Sequence, residues 1–165
     1  MSEANFTLTK EYLHQIFEYK DGHLYWKISK QNVRAGNRLG TLGLNGYFST
    51  IIKRKSYLIH RLIFLFHYGY LPKIIDHIDV NPLNNDIKNL RESTHIENCQ
   101  NAKKSTNNTS GYKNVSWHRP ANKWAVRLSI NQKRVFFGLF EDLELADLVA
   151  HEARDLYHGK FARHN

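Results

Sequence analysis

The sequence predicts an α+β protein built from two small domains, and three observations carry that reading. A polar, turn-rich run, "AKKSTNNTSG" at 102–111, divides the chain. The part before it mixes short strand-like and helix-like segments, with a hairpin pattern leading into an apolar helix. The part after it shows two-residue alternation followed by a helical stripe. The expected domains are therefore 1–104 and 105–165. With 165 residues, 41% hydrophobic and 13% aromatic, both have the material for a core.

The first domain opens with an amphipathic helix over about Lys10 to Glu18, which carries Leu13, Ile16 and Phe17 on one side. "HLYWKI" follows as a strand. After a basic loop containing Gly36, Gly40 and Gly43, "GYFSTIIKRKSYLI" reads as a hairpin turning at Lys53 to Ser56. "HRLIFLFHYG" reads as a short buried helix stopped by Gly69 and Pro72, and "KIID" as a strand entering a turn. Thr94 and Glu97 have the spacing of a capping box, so a helix begins just after Thr94 and Asn98 lies in its first turns.

In the second domain, strands are expected at 112–118, 123–130 and 133–138. Within the middle one, Trp124, Val126, Leu128 and Ile130 alternate with Ala125, Arg127 and Ser129, which predicts a core face and an open face. A helix over 143–157 places Ala146, Val149, Ala150, Ala153 and Leu156 on one stripe, with its acids facing water. His151, His158 and His164 have no ligand spacing around them and are expected at the surface.

No run approaches the roughly 20 apolar residues of a membrane span, and "MSEANFTLTKEYLHQ" lacks a signal peptide's apolar centre. An intracellular protein with no membrane partner is expected. One cysteine, Cys99, supports neither an intrachain disulfide nor a cysteine-based structural zinc site. The net charge is +9, unevenly placed. Nine Lys or Arg and no acid lie between Gly22 and Ile75, and six and no acid between Ser105 and Phe140. The acids gather at 76–97 and 141–155. Two basic surfaces broken by aromatics point to a polyanion, of which nucleic acid is the commonest.

Against that background, "IDHIDVNPLNNDIKNL" at 75–90 stands apart, with three Asp, one His and four Asn in sixteen residues. Such side chains brace a loop by bonding to local backbone. A strand end, that loop and the helix after Thr94 can also bring Asp76, His77 and Asn98 to one point. Asp76 and Asn98 then offer hard oxygen ligands of the kind Mg²⁺ accepts, with water completing the shell, and His77 can act as a base. Taken singly, Asp76 could instead cap a turn, Asn84, Asn85 and Asn89 could be loop residues, and Asn98 a surface residue.

The forty or so residues "HRLIFLFHYGYLPKIIDHIDVNPLNNDIKNLRESTHIENCQN" resemble the HNH endonuclease family, especially phage free-standing homing endonucleases. The resemblance implies a ββα-metal unit holding one divalent ion, Mg²⁺ or Mn²⁺, against the scissile phosphate. His77 matches the general base, Asp76 a metal ligand, and Asn89 the central Asn that ties the loop together. Asn98 matches the last motif position, where the name-giving sequences have His. Arg61 either holds a phosphate or simply flanks its helix, and His60 beside it is equally open.

Residues 110–165 resemble the APETALA2-type DNA-binding domain through Y-x-x-V, K-W, G-x-F, A-x-x-A and F-A-x-x-N elements. The resemblance implies a three-stranded antiparallel sheet on one helix, whose open face enters the major groove of double-stranded DNA. Lys113, Ser116, His118, Lys123, Ser129, Arg134 and Phe136 fall at its DNA-contacting positions, and Arg127 shares the face. Ser116, His118, Ser129 and Phe136 depart from the plant pattern, so the plant target sequence does not carry over.

Together these features imply a metal-dependent DNA endonuclease that binds through the C-terminal sheet and cuts with the metal loop. A homing role and a cytoplasmic setting in a bacterial or phage-infected host follow from the resemblance alone, and a monomer is favoured. The rival is a non-cleaving DNA-binding regulator with a vestigial HNH unit. An RNA-binding protein would explain the charge but not the Asp-His loop.

Overall fold

The structure is a computed structural model describing residues 7–30 and 32–164, which form two compact units, residues 1–93 and 94–165. Both mix short helices with small antiparallel sheets. Among the described residues no helix is long and apolar enough to cross a membrane.

In the first unit, α1 (Lys10–Ile16) starts at Thr9, whose hydroxyl accepts from the Tyr12 N–H. The expected helix to Glu18 is too long. Phe17 opens β1 (Phe17–Lys20), which pairs with β2 (His23–Trp26) in register Phe17 to Trp26. The two rings meet edge-on at 4.6 Å, so a non-local contact overrides the local helical pattern. A second sheet runs β3 (Thr41–Leu42), β4 (Phe48–Ile52) and β5 (Lys55–Leu58), and its β4–β5 turn has positive φ at Lys53 and Arg54. That two-residue turn twists with its strands.

The chain then enters α2 (Ile59–Tyr68), in which Ile59, His60, Leu62, Ile63, Phe64, Leu65 and Phe66 are all buried. Gly69 ends it in the left-handed region, its N–H bonding to Leu65 O. Around this helix sit Leu13, Ile16, Phe17, Leu24, Leu39 and Leu90. Burying each such side chain stabilises by about 1.5 to 3 kcal/mol. The last sheet pairs β6 (Ile74–His77) with β7 (Leu90–Ser93), Asp76 opposite Arg91 and His77 opposite Leu90.

The second unit begins with α3 (His95–Gln100), where both bonds of the Thr94–Glu97 capping box are present. Strands β8 (Val115–His118), β9 (Lys123–Ile130) and β10 (Lys133–Phe140) form an antiparallel sheet in the order β10-β9-β8. Helix α4 (Leu143–His158), capped by Asp142, packs on the face of Val115, Trp124 and Val126 through Ala146 and Ala150. Small residues let helix and sheet approach closely.

Three expectations are corrected here. Leu156 is 75% exposed, because Ala146, Ala150, Ala153 and the fully buried Arg154 form the inward face. Ala125 lies on the open side yet is fully buried: its methyl sits on the central strand between register partners Ser116 and Leu139. His158 is buried rather than superficial, and its Nε2 donates to Ser129 O at 3.0 Å.

Candidate active site

The stretch from β6 to β7 places its charges by pairing across the ladder. Asp76 is 5% exposed and faces Arg91, whose Nε and Nη2 reach Asp76 Oδ2 at 2.8 and 2.7 Å. A buried carboxylate needs such a partner, since losing water otherwise costs it several kcal/mol. His77 ends the strand, also buried, with its Nε2 3.0 Å from Asn85 Oδ1. Its ring meets His60 of α2 edge-on at 5.1 Å and lies 6.1 Å from Tyr47. Burial, with His77 and Arg61 adding to it, pushes the His60 imidazole down to about 3. His60 is therefore a neutral wall at physiological pH.

Residues 78–89 are held by a carboxylate and amides. Asn89 Nδ2 donates to Asp79 Oδ1 at 2.9 Å and to Asn84 O at 2.8 Å, while its Oδ1 accepts from the Asp79 N–H at 3.0 Å. Asn84 Nδ2 donates to Asp79 Oδ2 at 2.7 Å, and the Asn81 N–H to Asp79 Oδ1 at 2.8 Å. Partial burial pulls the Asp79 carboxyl up, but the bonds from Asn81, Asn84 and Asn89, with the nearby His77, hold it below its ordinary value. Behind the loop, Tyr19 Oη accepts from the Ile87 N–H at 3.0 Å. Gly22, at φ +76°, lies so close that a Cβ there would stand 2.9 Å from Asp86 N. Only glycine fits that approach without displacement.

A divalent ion is the group these residues can accommodate. Among the described residues no three His, Cys, Asp or Glu cluster as a metal cage, which a closed zinc centre would need. One buried carboxylate, Asp76, beside a histidine fits instead an ion such as Mg²⁺, which keeps several waters and takes one or two protein oxygens plus phosphate. Asn98, the second expected ligand, lies on α3 in the other unit.

Two expected DNA contacts are otherwise engaged. Arg61 donates from Nη2 to Pro72 O at 3.0 Å and from Nη1 to Lys73 O at 3.4 Å, bracing the entry to β6. Lys113 Nζ donates to Gln100 O at 2.9 Å and Ala102 O at 2.7 Å, and burial, with Arg154 and Arg163, lowers it to about 8. The ammonium expected at a DNA-contacting position is thus engaged by two backbone carbonyls. The remaining residues share one face. Register pairs His118 with Lys123, Phe136 with Arg127 and Arg134 with Ser129, and Ser116 sits opposite Ala125 on the same side. Arg127 lies over the exposed Phe136 ring at 5.3 Å, with Nη1 3.4 Å from Ser116 Oγ, and Lys123 pairs with Glu141 at 3.1 Å.

Sequence reasoning missed Asn85, Arg91 and Arg154. Arg91 faces Asp76 only through β7, a strand the sequence did not reveal, and nothing separated Asn85 from its asparagine neighbours. Arg154 donates from Nη1 to Lys113 O at 2.6 Å and from Nε to His164 Nδ1 at 3.2 Å, with Nη2 3.2 Å from His151 Nδ1. These bonds tie the C-terminal residues to the start of the sheet.

The HNH endonuclease family model matches residues 57–100, the span from β5 to the end of α3. Protein 3.8 of Escherichia phage T7 is 39% identical over 97 residues, covering 58% of this chain and 79% of that protein. No solved structure matches.

Proposed function

Because this chain belongs to the HNH endonuclease family, we propose that it hydrolyses phosphodiester bonds at preferred sites in double-stranded DNA, cutting with the β6–β7 loop and reading DNA with the C-terminal sheet. The observation that carries the reading is the adjacent Asp76–His77 pair, buried at the end of β6, each residue held by its own partner, within the matched segment. His77 takes a proton from the attacking water, a role typically worth about 10² to 10⁴ in rate. Asp76 would offer the divalent ion a carboxylate oxygen. When bound, that ion supplies stabilisation of charge on the phosphate and the departing 3′ oxygen. Asn89 keeps the loop in the shape that aims His77 and Asp76.

For binding, the APETALA2-like reading assigns Ser116, His118, Lys123, Arg127, Ser129, Arg134 and Phe136 to the DNA. The support is their common face and the absence of acid between Ser105 and Phe140. Lys123 is partly neutralised by Glu141, and Lys113 and Arg61 are left out because carbonyls occupy them. Nicking of a supercoiled plasmid with Mg²⁺ or Mn²⁺, abolished by chelator and by His77→Ala while DNA affinity is retained, tests the assignment. DNA binding without cutting under either ion would make the chain a regulator instead.

A further inference from the structure

We propose that Asn85 is the positioning residue of the general base: its side-chain oxygen holds His77 as the Nε2–H tautomer and so presents Nδ1 as the nitrogen that accepts the proton. The proposal deepens the nuclease reading and rests on His77 being its base.

A neutral imidazole has one N–H and one lone pair, and an amide oxygen can only accept. At 3.0 Å, Asn85 Oδ1 therefore takes the hydrogen of His77 Nε2. Both partners are buried, His77 at 6% and Asn85 at 2% exposure, so water does not easily stand in for either. In the opposite tautomer two lone pairs would face each other across that contact. The loop fixes where Asn85 sits. Its neighbour Asn84 is committed through Nδ2 to Asp79 and through its carbonyl to Asn89, and on the following side the Asp86 backbone abuts Gly22. His60 closes the ring's other flank as a neutral group and adds no charge opposing the imidazolium. In the reaction the water's proton passes to Nδ1. Its oxygen forms the new bond to phosphorus as the bond to the 3′ oxygen breaks, and that oxygen leaves with the electron pair and is protonated by solvent. At metal-ligating histidines a partner that fixes tautomer and ring orientation is worth about 10- to 100-fold, and a similar range is expected for a base held the same way.

Long-range ¹H–¹⁵N correlation spectra of the full chain labelled at histidine read the tautomer directly, with the His77 signal assigned by its loss in His77→Ala. The expected result is a protonated Nε2 and an unprotonated Nδ1. Were the Asn85 amide turned over, donating instead of accepting, the opposite pattern would appear and the proposal would fall. Kinetics give the second arm. Asn85→Leu should lower kcat by about 10- to 100-fold with KM for DNA unchanged, and Asn85→Asp, which keeps an acceptor oxygen, should restore most of it. A folded Asn85→Leu with wild-type kcat overturns the proposal; if that variant does not fold, the wild-type spectrum decides alone. An Nδ1–H tautomer alongside an inactive His77→Ala defeats only the role of Asn85. Full activity in His77→Ala defeats the base assignment and takes this proposal with it.

Discussion

Replacing Asn89 by aspartate should damage the protein more than replacing it by alanine, although aspartate is the nearer isostere. Asn89→Ala removes two donated bonds, one to the charged Asp79, and one accepted bond. A typical bond contributes about 1 kcal/mol and one to a charge about 1.5 to 3, and solvent at the loop surface replaces part of this, so the loss is about 2 to 3 kcal/mol. Asn89→Asp keeps the bond from the Asp79 N–H but turns both donors into acceptors, one facing the Asp79 carboxylate. Two such charges at about 4 Å repel by up to about 4 kcal/mol near a protein surface, bringing the total to about 4 to 6 kcal/mol. The pH dependence then has opposite signs. In the wild type Asp79 is held below its ordinary value, so its contribution is present above the unfolded carboxyl range and lost as pH falls through the folded value. In Asn89→Asp the pair gains a proton on acidification, so stability should rise between pH 7 and about 5. Urea unfolding at both pH values, followed through tryptophan fluorescence, measures this, and cleavage should fall in both variants. An Asn89→Asp protein as stable as Asn89→Ala at neutral pH, or one weakened by mild acid, would refute the electrostatic account of the loop.

Arg127→Ala and Arg134→Ala should each cost about 1 to 3 kcal/mol in binding and relax the base preference at one position; selection from a random DNA pool checks this, and an unchanged selected sequence would move recognition elsewhere. Arg91→Leu leaves the Asp76 carboxylate without its guanidinium and should destabilise the first unit by about 3 kcal/mol, seen in urea unfolding. Arg154→Met orphans Lys113 O and frees the C-terminal residues, and should cost about 2 to 4 kcal/mol by thermal unfolding, with Arg154→Lys rescuing little because it lacks the fork.

What was legible in the sequence is what is decided locally. The Thr94–Glu97 capping box and the Gly69 stop are set within a few residues and appear where the sequence puts them, while the hairpin turn expected over Lys53 to Ser56 is tighter, confined to Lys53 and Arg54. The strands β1 and β7 escaped because four residues carry little periodicity: Phe17 continues the helical pattern of α1 until Trp26 claims it, and the partner of β7 lies across the loop from β6. On α4 an apolar count favours Leu156 over Arg154, yet the buried place goes to the arginine, whose main acceptor is a carbonyl 41 residues away. The candidate site divides the same way. Asp76 and His77 are named by their position at a strand end, whereas the importance of Asn85 depends on which of four similar amides the loop turns inward.

The close approach of Gly22 to Asp86 and the Tyr19–Ile87 bond bear on what counts as the transplantable unit of this enzyme. The family match spans 57–100, but the backbone at 85–87 is seated on a hairpin that begins forty residues upstream of it. A graft of the matched segment alone onto a foreign scaffold would carry the reactive side chains without their foundation. A chimaera that starts before Tyr19 keeps both, and a bulky residue at position 22 should loosen the loop without touching any side chain in it.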